Sequence, residues 1–148
     1  MNNIYNPKMI FGGLAMATLT YPIEDEIAYC EKQPSGDFPY RIVVHLKSKM
    51  LYLYRNNKLF KKYAVAIGKP STPTPKGNYK IVNREPNPGG PFGVLWLGLS
   101  KPHYGIHGTN RPSQIGKAVS DGCIRMHNKD VLELAKYAKR CTEVKIVD

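Results

Sequence analysis

A chain of 148 residues, 42% hydrophobic and 22% charged, has the length and composition of one ordinary folded domain, which excludes a fully disordered, collagen-like or disulfide-scaffold protein. Its Lys and Arg outnumber Asp and Glu by 22 to 11, and the charge is uneven: residues 1–38 carry −3 and residues 39–148 carry +14. So basic a region is drawn to polyanions, whether nucleic acid, an anionic membrane surface or an acidic wall polymer, and charge alone does not choose among them.

Residues 1–38 show no sustained hydrophobic period and read as a leader followed by a linker. The apolar run 9–19 falls short of the roughly 18 residues a membrane-spanning helix needs and is broken by Gly12-Gly13. With Lys8 ahead of it and Ala15-Met16-Ala17 inside it, it is at most a weak export signal. An acidic cluster, Glu24-Asp25-Glu26, follows, and Gln33-Pro34-Ser35-Gly36-Asp37 reads as the linker into a main domain over 39–148.

That domain opens on two β-rich runs, 41–46 and 50–54, around Lys47-Ser48-Lys49, which predicts a hairpin. Asn56-Asn57 supplies a second turn, because Asn tolerates positive φ, and 59–67 follows as a strand. Pro70, Pro73 and Pro75 make 68–77 a loop, since each removes a backbone donor. Strands are expected at 78–82, 94–97 and 104–107, with the turn-rich Pro86-Asn87-Pro88-Gly89-Gly90-Pro91 between the first two. One confident helix is predicted over 130–139, with Val131, Leu134, Ala135 and Ala138 on one face and Asn128 as N-cap. A strand at 144–147 closes the chain. Seven or eight short strands with one late helix predict a mainly β domain, a sandwich or barrel-like mixed sheet decorated by that helix.

The chemistry concentrates in Tyr104-Gly105-Ile106-His107-Gly108-Thr109 and Ser120-Asp121-Gly122-Cys123-Ile124-Arg125-Met126. A thiol attacks as thiolate, and at an ordinary pKa of about 8.5 only about 3% is ionised at pH 7, so a nucleophilic Cys needs a basic partner. His107, sixteen residues before Cys123, suits a neighbouring strand. Each sits beside a glycine, where a substrate can approach the backbone. The N–H groups of Gly122 and Cys123 are candidate oxyanion donors. Three cysteines without metal-ligand spacing do not indicate a disulfide framework, and Cys30 and Cys141 read as small buried hydrophobes. His45 reads as structural. His103, His107, Cys123 and His127 could ligate zinc, but Gly105 divides the first two within a strand, so no metal site is expected.

These residues resemble the L,D-transpeptidase catalytic domain, the YkuD family, whose signature is a His followed about sixteen residues later by Ser/Thr-x-Gly-Cys-x-Arg/Asn. The likeness extends upstream through Ala66-Ile67-Gly68, Thr74-Pro75-Lys76-Gly77 and Asn87-Pro88-Gly89-Gly90-Pro91-Phe92-Gly93, and so covers about 40–148. It is most similar to the Bacillus YkuD type, although the peptidoglycan-binding LysM module found ahead of that domain is not recognisable in residues 1–38. The resemblance implies Cys123 as nucleophile and His107 as general base, the latter oriented by the Gly108 carbonyl rather than by an Asp. It implies peptidoglycan stem peptides as substrate, a thioester intermediate, no cofactor, and action outside the membrane in a wall or spore envelope.

Further residues are assigned by reach. Arg125 is expected to contact a stem carboxylate, Ser120 to steady the Cys loop or bind substrate, and Tyr104 and Trp96 to line the cleft. Water as acceptor would make the enzyme an L,D-carboxypeptidase. A papain-like peptidase is disfavoured because there the Cys precedes the His. A non-catalytic basic β-domain fits the charge, but binding of nucleic acid gives no reason for a Gly-Cys beside a His, and no nucleic-acid partner is expected. The positive field suits peptidoglycan carboxylates and anionic wall polymers instead.

Overall fold

The computed structural model describes residues 23–34 and 38–148. The run 9–19, read as at most a weak export signal, and Ser35-Gly36-Asp37 of the expected linker lie outside the described residues.

Alternation builds the first sheet. In β1 (Tyr40–His45), Ile42 and Val44 are buried, and in β2 (Met50–Arg55), Leu51 and Leu53 are buried, each between exposed or half-exposed neighbours. The hairpin closes through Lys49 at φ 55°, and Asn56 and Asn57, at φ 49° and 66°, turn the chain into β3 (Lys58–Gly68) as expected of a two-residue hairpin loop. Burying a side chain such as Leu51 contributes about 1.5–3 kcal/mol, so a one-residue slip of this register would expose several such side chains at once.

The remaining strands are β4 (Gly77–Pro86), β5 (Leu95–Leu99), β6 (Gly105–His107), β7 (Ala118–Ser120), β8 (Ile124–Met126) and β9 (Glu143–Val147). They join in the order β2-β1-β9-β4-β5-β6-β8-β3-β7, and β2 also pairs with β3. β3 meets β2 with its first half and β8 with its second, so the sheet closes into a barrel with β7 on its margin. The architecture is mainly β and barrel-like, with nine strands where the sequence predicts seven or eight.

Two α-helices decorate the barrel among the described residues. α2 (Asn128–Tyr137) buries Val131, Leu134 and Ala135, as its period predicts, but starts two residues before the expected 130. Its N-cap is His127 rather than Asn128, whose side chain is drawn off to other partners.

α1 (Ile23–Glu31) falls in a region to which the sequence assigned no element. Ile23, Ile27 and Cys30 fall on one face and pack against Val82, Cys141 and Phe38, while Glu24, Asp25 and Glu26 occupy the first turn, where the helix dipole favours acids. Cys30 and Cys141 form a disulfide, which corrects their reading as plain buried hydrophobes. Beside it the buried Glu26 carboxylate accepts from Arg140 Nη2 at 2.8 Å, and Lys80 Nζ donates to the Cys30 carbonyl at 2.8 Å.

Candidate active site

β6 and β8 are parallel neighbours in which Ile106 faces Ile124 and His107 faces Arg125. The two isoleucines are buried in the barrel core. Strand alternation therefore turns His107 and Arg125 to the other side, and with them Gly105 and Cys123, the residues one step earlier on each chain. His107 and Cys123 are thus brought onto one face of adjacent strands, offset diagonally by two residues.

His107 is 3% exposed. The Trp96 ring stacks on it at 5.6 Å with a 17° interplanar angle, and Phe92 meets it edge-on at 5.1 Å. Its Nδ1 lies 2.6 Å from the Gly108 carbonyl oxygen, and since a carbonyl only accepts, Nδ1 carries the proton and Nε2 keeps its lone pair. Burial pushes the imidazole pKa down to about 4, with the Gly108 hydrogen bond opposing and the Arg125 charge assisting.

Cys123 is half-buried and is the free cysteine of the chain. Its Sγ donates to the His103 carbonyl at 3.6 Å. Burial pushes the thiol up to about 11, against the smaller opposing effects of a Gly105 backbone hydrogen bond and the Arg125 charge. A thiol near 11 beside an imidazole near 4 keeps its proton. Burial thus favours the uncharged form of each group, a protonated thiol and a neutral imidazole.

The loop holding Cys123 is tied by Ser120, whose Oγ donates to the Cys123 carbonyl at 2.6 Å and accepts from the Gly122 N–H at 3.1 Å. Ser120 is 1% exposed with its hydroxyl engaged inside the loop, the steadying contact of the two alternatives expected for it, and the Gly122 N–H is held by that hydroxyl. Gly122 serves by conformation: its φ is 126°, and a Cβ there would lie 2.7 Å from Tyr104 Cε1.

Trp96, expected to line the cleft, is 2% exposed and instead backs the His107 ring. Its indole lies flat because Gly105 leaves room, a Cβ there standing 2.7 Å from the ring. Tyr104 is half-buried against Gly122. Arg125 is half-buried and donates from Nη1 to Gln114 Oε1 at 2.7 Å, an orienting partner that the sequence did not single out. His103 is exposed, His45 is half-buried against the edge of Tyr52, and no group of three or more metal-ligating side chains occurs among the described residues.

Asn128 matters more than its sequence reading suggests. Its Oδ1 accepts from Val94 N–H at 3.3 Å and Thr109 N–H at 3.0 Å. A Cβ on either Gly93 or Gly108 would lie within about 2.3 Å of that oxygen, so both glycines clear the space it occupies. One side chain thereby pins the loop before β5 and the end of β6, where Gly108 holds His107.

The YkuD family model, described as the L,D-transpeptidase catalytic domain, matches residues 39–146. A Bacillus licheniformis protein named as L,D-transpeptidase YkuD is 63% identical over 108 residues, which cover 73% of this chain and 66% of that protein. The Bacillus subtilis protein of the same name is 59% identical with the same coverage, so the chain spans just under two thirds of the length of these relatives. Among solved structures, an L,D-transpeptidase from Mycobacterium smegmatis shares the fold with a TM-score of 0.67 at 16% identity, covering 74% of this chain and 59% of that one.

Proposed function

Because the chain belongs to the YkuD family of L,D-transpeptidase catalytic domains, we propose that it acts as a peptidoglycan L,D-transpeptidase through Cys123 and His107. The observation that carries this reading is the shared face of the two side chains, one a half-exposed thiol, the other an imidazole whose Nδ1 is clamped by Gly108 so that Nε2 is the basic nitrogen. In the donor half-reaction the sulfur attacks the carbonyl of the L-centre next to the terminal D-amino acid of a tetrapeptide stem. His107 takes the thiol proton and returns it to the departing D-residue amine as the C–N bond breaks, leaving a thioester. An amine of a second stem then attacks the thioester, gives its proton to His107, and the thiol is restored.

The Cys123 N–H remains the candidate oxyanion donor, and Arg125, oriented by Gln114, the candidate for a substrate carboxylate. The catalytic unit is taken as 39–148. The place of action is outside the membrane, in the cell wall or a spore envelope. The Cys30–Cys141 disulfide supports this, because such bonds persist in oxidising compartments, and no helix among the described residues is long and apolar enough to cross a membrane. Anionic wall polymers would attract the +14 of residues 39–148.

Incubation with a carbapenem followed by intact-mass measurement tests the reading. One adduct per chain is expected, lost in Cys123→Ala, and slowed by about 10²- to 10⁴-fold in His107→Ala. An adduct that persists in Cys123→Ala would remove the thiol from the mechanism.

A further inference from the structure

In the closed ring of strands, β1 and β9 stand diametrically opposite β6 and β8. The outward face there carries a pattern that the chemistry of Cys123 does not use. Register sets Lys62, Tyr52, Val43, Lys145 and Asn78 side by side across β3, β2, β1, β9 and β4, and Tyr54, Arg41, Glu143 and Lys80 in the next row. At about 4.8 Å per strand, the first row is roughly 19 Å long. Four cations share these rows with one carboxylate. Lys62 and Lys145 are exposed and enter none of the ion pairs found among the described residues. Tyr52 lies half-exposed between them and Tyr54 half-exposed beside Arg41 in the next row, with His45 set edge-on against the Tyr52 ring at 4.9 Å. Where the face meets α1, it deepens into a cleft of about 310 Å³ lined by the cations Arg41, Lys80 and Lys145 and the carboxylates Glu31 and Glu143.

We propose that this face is a second binding surface for peptidoglycan, separate from the catalytic groove. The inference rests on the substrate reading above. Peptidoglycan offers both groups that the face is built to meet: sugar rings to lie against the tyrosines and stem carboxylates to meet Lys62, Lys145 and Arg41. A polyol phosphate would satisfy the cations and leave the tyrosines without a role. Placed opposite the thiol, the surface holds the enzyme on one strand of the wall while β6 and β8 face another.

The test uses the full chain carrying Cys123→Ala, which does not consume its substrate, and sacculi stripped of phosphate polymers, with binding read by co-sedimentation at low and at about 0.15 M salt. Adding Lys62→Glu with Lys145→Glu is expected to weaken binding about tenfold or more at low salt, and Lys62→Gln with Lys145→Gln to weaken it less. Tyr52→Ala is expected to weaken binding several-fold at either salt concentration. With Cys123 intact, the same surface variants are expected to form the carbapenem adduct within twofold of the parent rate. Surface variants that sediment like their parent would overturn the proposal. So would retention by walls that keep their phosphate polymer, or by single-stranded DNA, without retention by stripped sacculi. Failure of the substrate reading would show separately, as an unlabelled Cys123 in the parent protein.

Discussion

Replacing Asn128 by Ala removes one oxygen that two backbone donors share. Thr109 is buried and Val94 half-buried, so their N–H groups lose partners at 3.0 and 3.3 Å in a place that water reaches poorly. An unsatisfied buried donor costs about 1–3 kcal/mol, and the longer of these two bonds lies at the weak end, so a total of about 3 kcal/mol is expected. For a chain of this size each kcal/mol lowers the melting temperature by about 2–4 °C, which gives a fall of about 6–12 °C. The same loss frees the Gly108 carbonyl to wander and relaxes its hold on His107, slowing acylation of Cys123 by about 10- to 10²-fold. Asn128→Asp keeps an acceptor oxygen in place and is expected to recover most of both losses. Thermal melting with carbapenem acylation kinetics measures the two together. An Asn128→Ala protein that melts within 2 °C of the parent and acylates at its rate would refute the reasoning, as would an Asp variant no better than Ala.

The Cys30–Cys141 bond closes a sequence separation of 111 residues, so its loss by reduction or by Cys30→Ser with Cys141→Ser should destabilise the fold by about 4–5 kcal/mol in the chain-entropy account; thiol titration of the unreduced, denatured protein should find one thiol, and finding three would remove the bridge. With Cys123 pushed up to about 11, its alkylation rate should climb steadily between pH 6 and 9, and a plateau in that range would indicate a preformed thiolate. His107, pushed down to about 4 from an ordinary 6.5, binds its proton more readily when unfolded, so it contributes about 3 kcal/mol above pH 6.5 that is lost as pH falls from 6.5 through 4; a stability profile flat over that window in the parent, or one that falls equally in His107→Gln, would contradict it. Gly122→Ala places a methyl at φ 126° against Tyr104 and should cost about 2–4 kcal/mol together with most of the acylation rate, checked by melting and intact mass.

Much of the barrel was legible because its signals are local. Alternation in 40–45 and 50–55, paired asparagines at 56–57 and the prolines of 68–77 each specify their own conformation without distant help. β8 and β7 were harder, since three residues hold too little pattern and their place is set by β3 and β6 on either side. α1 carries its apolar residues at 23, 27 and 30, a helical spacing, but nine residues beside a turn-rich stretch give a weak period, and the helix is secured by a bridge to Cys141 that no local rule reveals. At the site, the Gly108 carbonyl contact was expected on the strength of the family likeness. The engagement of the Gly122 N–H by Ser120, the burial of Trp96 beneath His107 and the reach of Asn128 to two loops were not. Each depends on which neighbour packs across the sheet, and sequence distance says little about that.

The insertion of β9 between β1 and β4 has a consequence for how the molecule is made. Until that strand arrives, β1, β2, β3, β8, β6, β5 and β4 form one open sheet whose two edges, β1 and β4, have no strand between them, and the ring cannot shut. Closure of the barrel is therefore postponed until β9 has been made.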